Sequence, residues 1–272
     1  MSRLADVFGR LAEEGRRALV TYLVAGDPTP ETTVPAMHAL ADAGADVLEL
    51  GIPFSDPEAE GPDIQAGCER ALTHRTRLLD VLAMVRRFRD RDDRTAVILM
   101  GYLNSVERMG HEAFAERAAE AGVDGLLMVN LPPEEAGPLR RALRGRGLDL
   151  VLLLAPTTTE PRARQILEVA SGFAYYVSLK GTTGAGHLDV DAVRTRLDRL
   201  RTWTDLPLAV GFGIRDAESA RAVAAFADGV VVGSAIVRAM GELARTPERI
   251  PARLRELTVA LREGVDGAVL TT

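Results

Sequence analysis

RAAEAGVDGLLMV, residues 117–129, joins a run of helix formers to a short apolar run through Gly122 and Asp124. The phrase recurs as ALADAGADVLEL at 39–50 and VAAFADGVVVG at 223–233. Each time a helical pattern ends in a small residue plus Gly or Asp, and a strand-like run of Val, Leu or Ile follows. Gly at such a junction suits the left-handed helix C-cap that turns a chain back on itself. Weak internal repetition of this kind is what stacked βα units produce.

Working outward, apolar runs of the same type lie near 18–24, 46–50, 96–101, 124–130, 149–154, 173–178, 207–211 and 228–233. Each is too short and too uniformly apolar for a half-exposed strand, which predicts strands buried on both faces of a parallel sheet. No linker rich in Pro, Gly or Ser divides them. Eight such units predict an α/β chain forming one (β/α)8 TIM-barrel domain over residues 1–272. A doubly wound open sheet is the alternative. It usually carries GxGxxG after its first strand, where this chain reads AGDPTPE at 25–31. MSRLADVFGRLAEEGRRAL at 1–19 predicts an additional N-terminal helix. The stretch from 51 to about 95 is longer than one crossover needs, and predicts an extended loop (IPFSDPEAEGPD, 52–63) with helices near 63–73 and 77–90 after strand 2. In a barrel, the loops following the strands build the active-site face.

Composition narrows the function. The 272 residues are 47% hydrophobic, ample for a large core. With 33 basic and 39 acidic residues the net charge is −6, and no basic stripe is present to neutralise a nucleic acid. Two Arg clusters (Arg86, Arg87, Arg89, Arg91; Arg140, Arg141, Arg144, Arg146) sit among acids and read as solvated helix faces. Cys68 is the single cysteine, which excludes an intrachain disulfide and a thiolate metal cluster. The histidines show no metal-ligand spacing. The N-terminus lacks the apolar block of a signal peptide, and no apolar run reaches 18 residues, so the expectation is a soluble cytoplasmic protein without membrane contact.

Two features carry chemistry. Glu49 stands between Leu48 and Leu50 inside a strand and just before Gly51. Burial there strips hydration from a carboxylate and raises its pKa towards the range a general acid–base group needs, unless an ion pair holds it. The second feature is a set of glycines after strands six, seven and eight: Gly181 and Gly184, Gly211 and Gly213, and Gly233 with Ser234. Backbone amides in such turns, backed by a helix N-terminus, form an anion site, and barrels place phosphate after strands seven and eight. Tyr175 and Tyr176 alternate along strand six, so one points into the barrel. Tyr22 and Tyr102, at the ends of strands one and three, could line a pocket for a flat substrate.

LELGIPFSDPEAEGPDIQAGCERAL at 48–72 resembles the signature around the catalytic acids of the tryptophan synthase alpha-subunit family. The resemblance continues in order through YLVAGDP, ILMGYLN, LPPEE, YYVS, GTTGA, GFGIRD and GSAIV, over about residues 5–240. It implies a lyase that cleaves indole-3-glycerol phosphate to indole and glyceraldehyde 3-phosphate with no metal or organic cofactor, in tryptophan biosynthesis. By motif, Glu49 would move protons at the indole C3 and the glycerol hydroxyl, and Glu60 would stabilise charge at the indole nitrogen. Gly184, Gly213, Gly233 and Ser234 would cradle the phosphate, with Tyr175 and Thr183 near the glycerol. Read from the residues alone, Glu60 is a surface loop residue. The implied partner is a beta-type subunit, bordering the loop where Glu58 replaces an apolar residue. Other departures are Glu60 for Asp, Asp63 for Thr, Ser105 for Pro, Asn130 for Asp, and Leu179 for Arg beside Lys180. Clustered at the mouth, they suggest a divergent branch. They also motivate two alternatives: a related aryl-glycerol phosphate as substrate, or a non-catalytic barrel regulating a beta-type partner.

Overall fold

The computed structural model describes residues 2–178, 190–211 and 213–269. Eight parallel strands close on themselves in sequence order: β1 (Ala18–Val24), β2 (Val47–Gly51), β3 (Ala96–Gly101), β4 (Gly125–Met128), β5 (Asp149–Leu154), β6 (Ala174–Val177), β7 (Leu208–Gly211) and β8 (Gly229–Val232). The β1–β8 pairing, with Thr21 opposite Val232, eliminates the open sheet. Around them run α1 (Arg3–Glu13), α2 (Pro30–Asp42), α3 (Pro62–Thr73), α4 (Leu78–Arg89), α5 (Leu103–Met109), α6 (His111–Ala121), α7 (Gly137–Gly145), α8 (Glu160–Val169), α9 (Val190–Arg201), α10 (Ala217–Ala224), α11 (Ser234–Glu242) and α12 (Ile250–Asp266). The expected N-terminal helix and the insertion after strand 2 are both present, the latter as a loop followed by α3 and α4. Strand bounds shift by a residue or two. β4 stops at Met128, which leaves Val129 and Asn130 on the following loop.

Alternate residues of each strand serve two cores. Val20, Val47, Ile98, Leu127, Val151 and Tyr175 face inward and fill the cylinder, whereas Leu19, Leu48, Leu99 and Tyr176 face the surrounding helices. The lower end of the cylinder is closed by α1, whose Leu4, Val7, Phe8 and Leu11 are buried against the inner residues. Phe8 meets Phe173 with ring centroids 5.4 Å apart.

The recurrent Asp of the opening phrases has a structural role. Asp46, at the foot of β2, accepts from the Leu19 amide of β1 at 2.9 Å. Asp124, before β4, accepts from Val97 of β3 at 2.7 Å, and Asp228, before β8, accepts from Leu208 of β7 at 2.9 Å. Before β6 the same position is taken by Ser171, whose Oγ accepts from Leu150 of β5 at 3.0 Å. Each even strand thus satisfies a lower-end amide of the odd strand before it. These buried donors would otherwise cost about 1–3 kcal/mol apiece. Each of the three carboxylates also meets a guanidinium: Arg262, Arg89 and Arg201 respectively. This corrects the sequence reading of Arg89 as part of a solvated face: it is 12% exposed and also donates to the carbonyls of Gly122 and Thr95.

The outer layer tolerates little added volume where α12 crosses the start of α10. A Cβ on Gly264 would lie 2.3 Å from the Ala217 carbonyl oxygen. Backbone cannot swing aside as a side chain does. Gly264→Ala is therefore expected to lose about 1–3 kcal/mol, read as a lower urea midpoint with unchanged slope; an unshifted midpoint would contradict the close approach.

Candidate active site

Glu49 is in the middle of β2, flanked in register by Tyr22 of β1 and Ile98 of β3, so its side chain shares their inward direction. It is 1% exposed, and Oε1 has no hydrogen-bond partner among the described residues. Desolvation, helped by the nearby negative charge of Glu60, pushes its pKa up to about 8. The sequence left open an ion-paired strut; among the described residues no cation pairs with this carboxyl.

Two phenols flank it. Tyr22 and Tyr175 are both buried and have raised pKa values, from burial first and then from neighbouring acids that include Glu49. Their hydroxyls have room because two strands end in glycine: a Cβ on Gly51 would come within 2.3 Å of the Tyr22 hydroxyl, and one on Gly211 within 2.2 Å of that of Tyr175. Tyr176 faces the outer core, so Tyr175 is the inward member of the pair.

Glu60 departs most from what its residues suggested alone. It is 9% exposed, on the loop between β2 and α3. Burial raises its pKa, opposed first by a hydrogen bond from the Tyr102 hydroxyl to Oε2 at 2.5 Å. The same hydroxyl accepts from the Ala59 amide at 3.1 Å, and the Tyr102 ring stacks on Phe54 at 4.7 Å. Tyr102 lies just beyond β3 as the N-cap of α5. No local sequence pattern could signal Glu60's burial, because the groups that cover it come from a loop about forty residues on. Glu58, by contrast, is exposed. Asp63 does not add acidity to the pocket: it pairs with Arg238 of α11 at 2.7 Å. Asn130 is exposed, and its Oδ1 accepts from the Leu103 amide at 2.8 Å.

Two strands round the barrel from β2, α11 begins at Ser234 with Gly233 as an N-cap that makes no side-chain capping bond. The first amides of a helix have no partner within it, so an end of this kind can receive an anion. Gly213 has φ +79°, a conformation only glycine adopts without strain, and a Cβ there would meet nothing within 4 Å. Gly233 follows Val232, which pairs with Thr21, so it stands level with Tyr22 and therefore with Glu49. Two strand spacings separate Gly233 from Glu49, about 10 Å between backbones. Gly181, Thr183 and Gly184, with Leu179 and Lys180, lie outside the described residues.

A buried loop-contact ion pair escaped the sequence reading. Asp27, fully buried after β1, takes two hydrogen bonds from Arg70 of α3, at 2.6 and 2.9 Å. It ties α3, and with it the loop bearing Glu60, to the end of β1. The GDP turn at 26–28 and an Arg in the last turn of α3 give no local sign of that pairing. Among the described residues no group of three or more His, Cys, Asp or Glu is arranged to hold a metal ion.

Comparison with known proteins, in sequence and in fold, gives one consistent family. A sequence model described as tryptophan synthase alpha chain matches residues 8–266. The tryptophan synthase alpha chain of Thioalkalivibrio sulfidiphilus is 56% identical over 266 residues, 98% of this chain and 100% of that one. That of Nitrosococcus oceani is 55% identical, covering 98% of both chains. The crystal structure of tryptophan synthase subunit alpha from Legionella pneumophila superposes with a TM-score of 0.91 at 44% identity, covering 98% of this chain and 99% of that one. The chain belongs to the tryptophan synthase alpha chain family.

Proposed function

We propose that this protein is a carbon–carbon lyase that cleaves indole-3-glycerol phosphate to indole and glyceraldehyde 3-phosphate in tryptophan biosynthesis. The observation that supports it most directly is Glu49, a buried carboxyl pushed up to about 8 with one oxygen unpartnered among the described residues, level with the N-terminus of α11. The phosphate binds at Gly213, Gly233 and Ser234, joined by Gly184. The three-carbon arm then carries the scissile bond towards Glu49, with Tyr22, Tyr175, Thr183 and Tyr102 around the ring and glycerol.

At neutral pH Glu49 carries its proton and delivers it to the indole C3. The ring becomes an iminium whose positive charge at N1–H is stabilised by the Glu60 carboxylate. Glu49, now ionised, takes the proton of the glycerol hydroxyl next to the ring. The O–H electrons form the aldehyde carbonyl, the C–C electrons return to the ring, and indole leaves. Glu49 ends protonated, so the cycle closes without a cofactor. Full-length identity above half to named alpha chains does not favour a changed aryl substrate or a non-catalytic barrel. The partner is a tryptophan synthase beta-type subunit, met on the face that exposes Glu58. No helix among the described residues is long and apolar enough to cross a membrane, and the place of such a biosynthetic enzyme is the cytoplasm.

Purified protein given indole-3-glycerol phosphate is expected to release indole and glyceraldehyde 3-phosphate in equal amounts; release no faster than by a Glu49→Gln control would overturn the reading. The pH profile of kcat/KM is expected to be bell-shaped. Its alkaline limb falls through about pH 8 as Glu49 loses the proton it must donate. Its acid limb marks protonation of Glu60 and lies above the ordinary carboxylate range, because burial raises that group. A rate still climbing well past pH 8 would assign Glu49 the wrong starting state.

A further inference from the structure

Asn130 stands on the loop after β4 and its side-chain oxygen caps a different loop, through the Leu103 amide at 2.8 Å. Leu103 is the first residue of α5, and the N-cap of that helix, Tyr102, makes no capping bond of its own. Asn130 therefore supplies an acceptor for one of the first-turn amides that the helix itself leaves unpaired. The residue just before Leu103, Tyr102, is the one whose hydroxyl donates to Glu60 and accepts from Ala59, and whose ring stacks on Phe54. The loops after β4, β3 and β2 are joined in a single line of contacts ending on one carboxylate.

We propose that Asn130 and Tyr102 are positioning residues for the lyase reaction, setting the Glu60 carboxylate through the linked contacts Asn130–Leu103 and Tyr102–Glu60. The proposal rests on the lyase reading and deepens it: Asn130 acts on Glu60 through two neighbours instead of touching substrate. A carboxylate that must meet a developing charge within a few tenths of an ångström is sensitive to such support, since a misplacement of about 1 Å costs on the order of a hundredfold. The long Glu side chain makes the support more necessary here than for a shorter acid, having one more torsion to fix. Glu60 also faces Glu49 of β2, Tyr22 of β1 and Cys68 of α3; beside backbone bonds at Ala59 and Glu60 itself, the Tyr102 hydroxyl is the side chain that donates to it among the described residues.

The test is steady-state indole release by the parent, Tyr102→Phe, Asn130→Ala and Asn130→Asp across the pH range. Tyr102→Phe keeps the ring stacked on Phe54 and removes only the hydroxyl. Its kcat is expected to fall about ten- to a hundredfold, as for loss of a hydrogen bond to a charged group, with KM within about twofold. Its acid limb should move to higher pH, because the bond that lowers the Glu60 pKa is gone. Asn130→Ala should lose about tenfold in kcat, and Asn130→Asp, which restores an acceptor for Leu103, should recover most of that loss. An active parent whose Tyr102→Phe and Asn130→Ala variants keep kcat within about twofold overturns the positioning role, as does a loss confined to KM or one that Asn130→Asp fails to recover. A parent that releases no indole overturns the lyase reading itself.

Discussion

Glu49→Gln is expected to lower kcat for indole release by about 10²–10⁴-fold, the usual contribution of a positioned proton-transfer group. The amide matches the carboxyl in shape and keeps the substrate site intact, but it neither donates an acidic proton to C3 nor accepts the hydroxyl proton afterwards. KM should change little, since the phosphate contacts at α11 are untouched. Both proton transfers are removed together, so the variant should also lose the alkaline limb near pH 8 from whatever residual rate remains. A Gln variant within about tenfold of the parent would mean that the proton comes from elsewhere, with the neighbouring Tyr175 and Tyr22 as hydroxyl candidates.

The same substitution is expected to raise stability. Folded Glu49 holds its proton to about pH 8, whereas an unfolded Glu releases it near 4.5. Between those values the native state binds more protons than the unfolded chain, so stability falls as pH rises and the loss is complete above about pH 8. A shift of that size corresponds to about 5 kcal/mol at most. Gln has no charge to desolvate. Above pH 8 its urea midpoint should exceed the parent's by the equivalent of a few kcal/mol, and near pH 5 the two should converge. A gain in stability paired with loss of activity separates a carboxyl placed for chemistry from one placed for structure; if Glu49→Gln is less stable at every pH, the carboxyl is a strut.

The closed barrel was readable because its evidence is local: short apolar runs, their spacing, and the Gly or Asp at each helix–strand junction. What those aspartates do was not readable. Their partner amides lie twenty or more residues back on a neighbouring strand, and a period along the chain carries no record of which groups meet across it. Glu49 announced itself because a carboxylate between two leucines of a strand is costly wherever the strand ends up. Glu60 did not, because its neighbours Ala59 and Gly61 say nothing about burial; the family motif pointed to it, and Tyr102, itself stacked on Phe54, is the side chain that binds it. Asp63 and Arg89 erred in opposite directions. The first read as one of the departures clustered at the mouth and is a tie to α11, and the second read as solvated surface and is a nearly buried brace. In both, composition gave the charge and only topology could give the counterion.

Asp124→Ala is expected to be the most destabilising single change to the lower end of the barrel, at about 3–5 kcal/mol. Three groups converge on this carboxylate: the buried Val97 amide at 2.7 Å, Arg89 at 2.7 Å, and Arg3 of α1. Burial nevertheless holds its pKa above the ordinary Asp value, so desolvation outweighs the guanidiniums and the ion pairs alone do not account for its presence. What removal leaves behind sets the cost: an amide of β3 without an acceptor, a largely buried Arg89 without its counterion, and α1 without its anchor to β4. In a chain of this length such a loss lowers Tm by on the order of 10 °C. Asp124→Asn retains an acceptor for Val97 and should recover part of the loss, whereas Arg3→Ala, at a 31% exposed side chain, should cost far less. The order Ala, then Asn, then the Arg3 variant follows from the amide and Arg89 being the groups that matter. Should Arg3→Ala prove as damaging as Asp124→Ala, the carboxylate would be acting mainly as the anchor of α1, and the shared strand tie at Asp46, Ser171 and Asp228 would lose its energetic meaning.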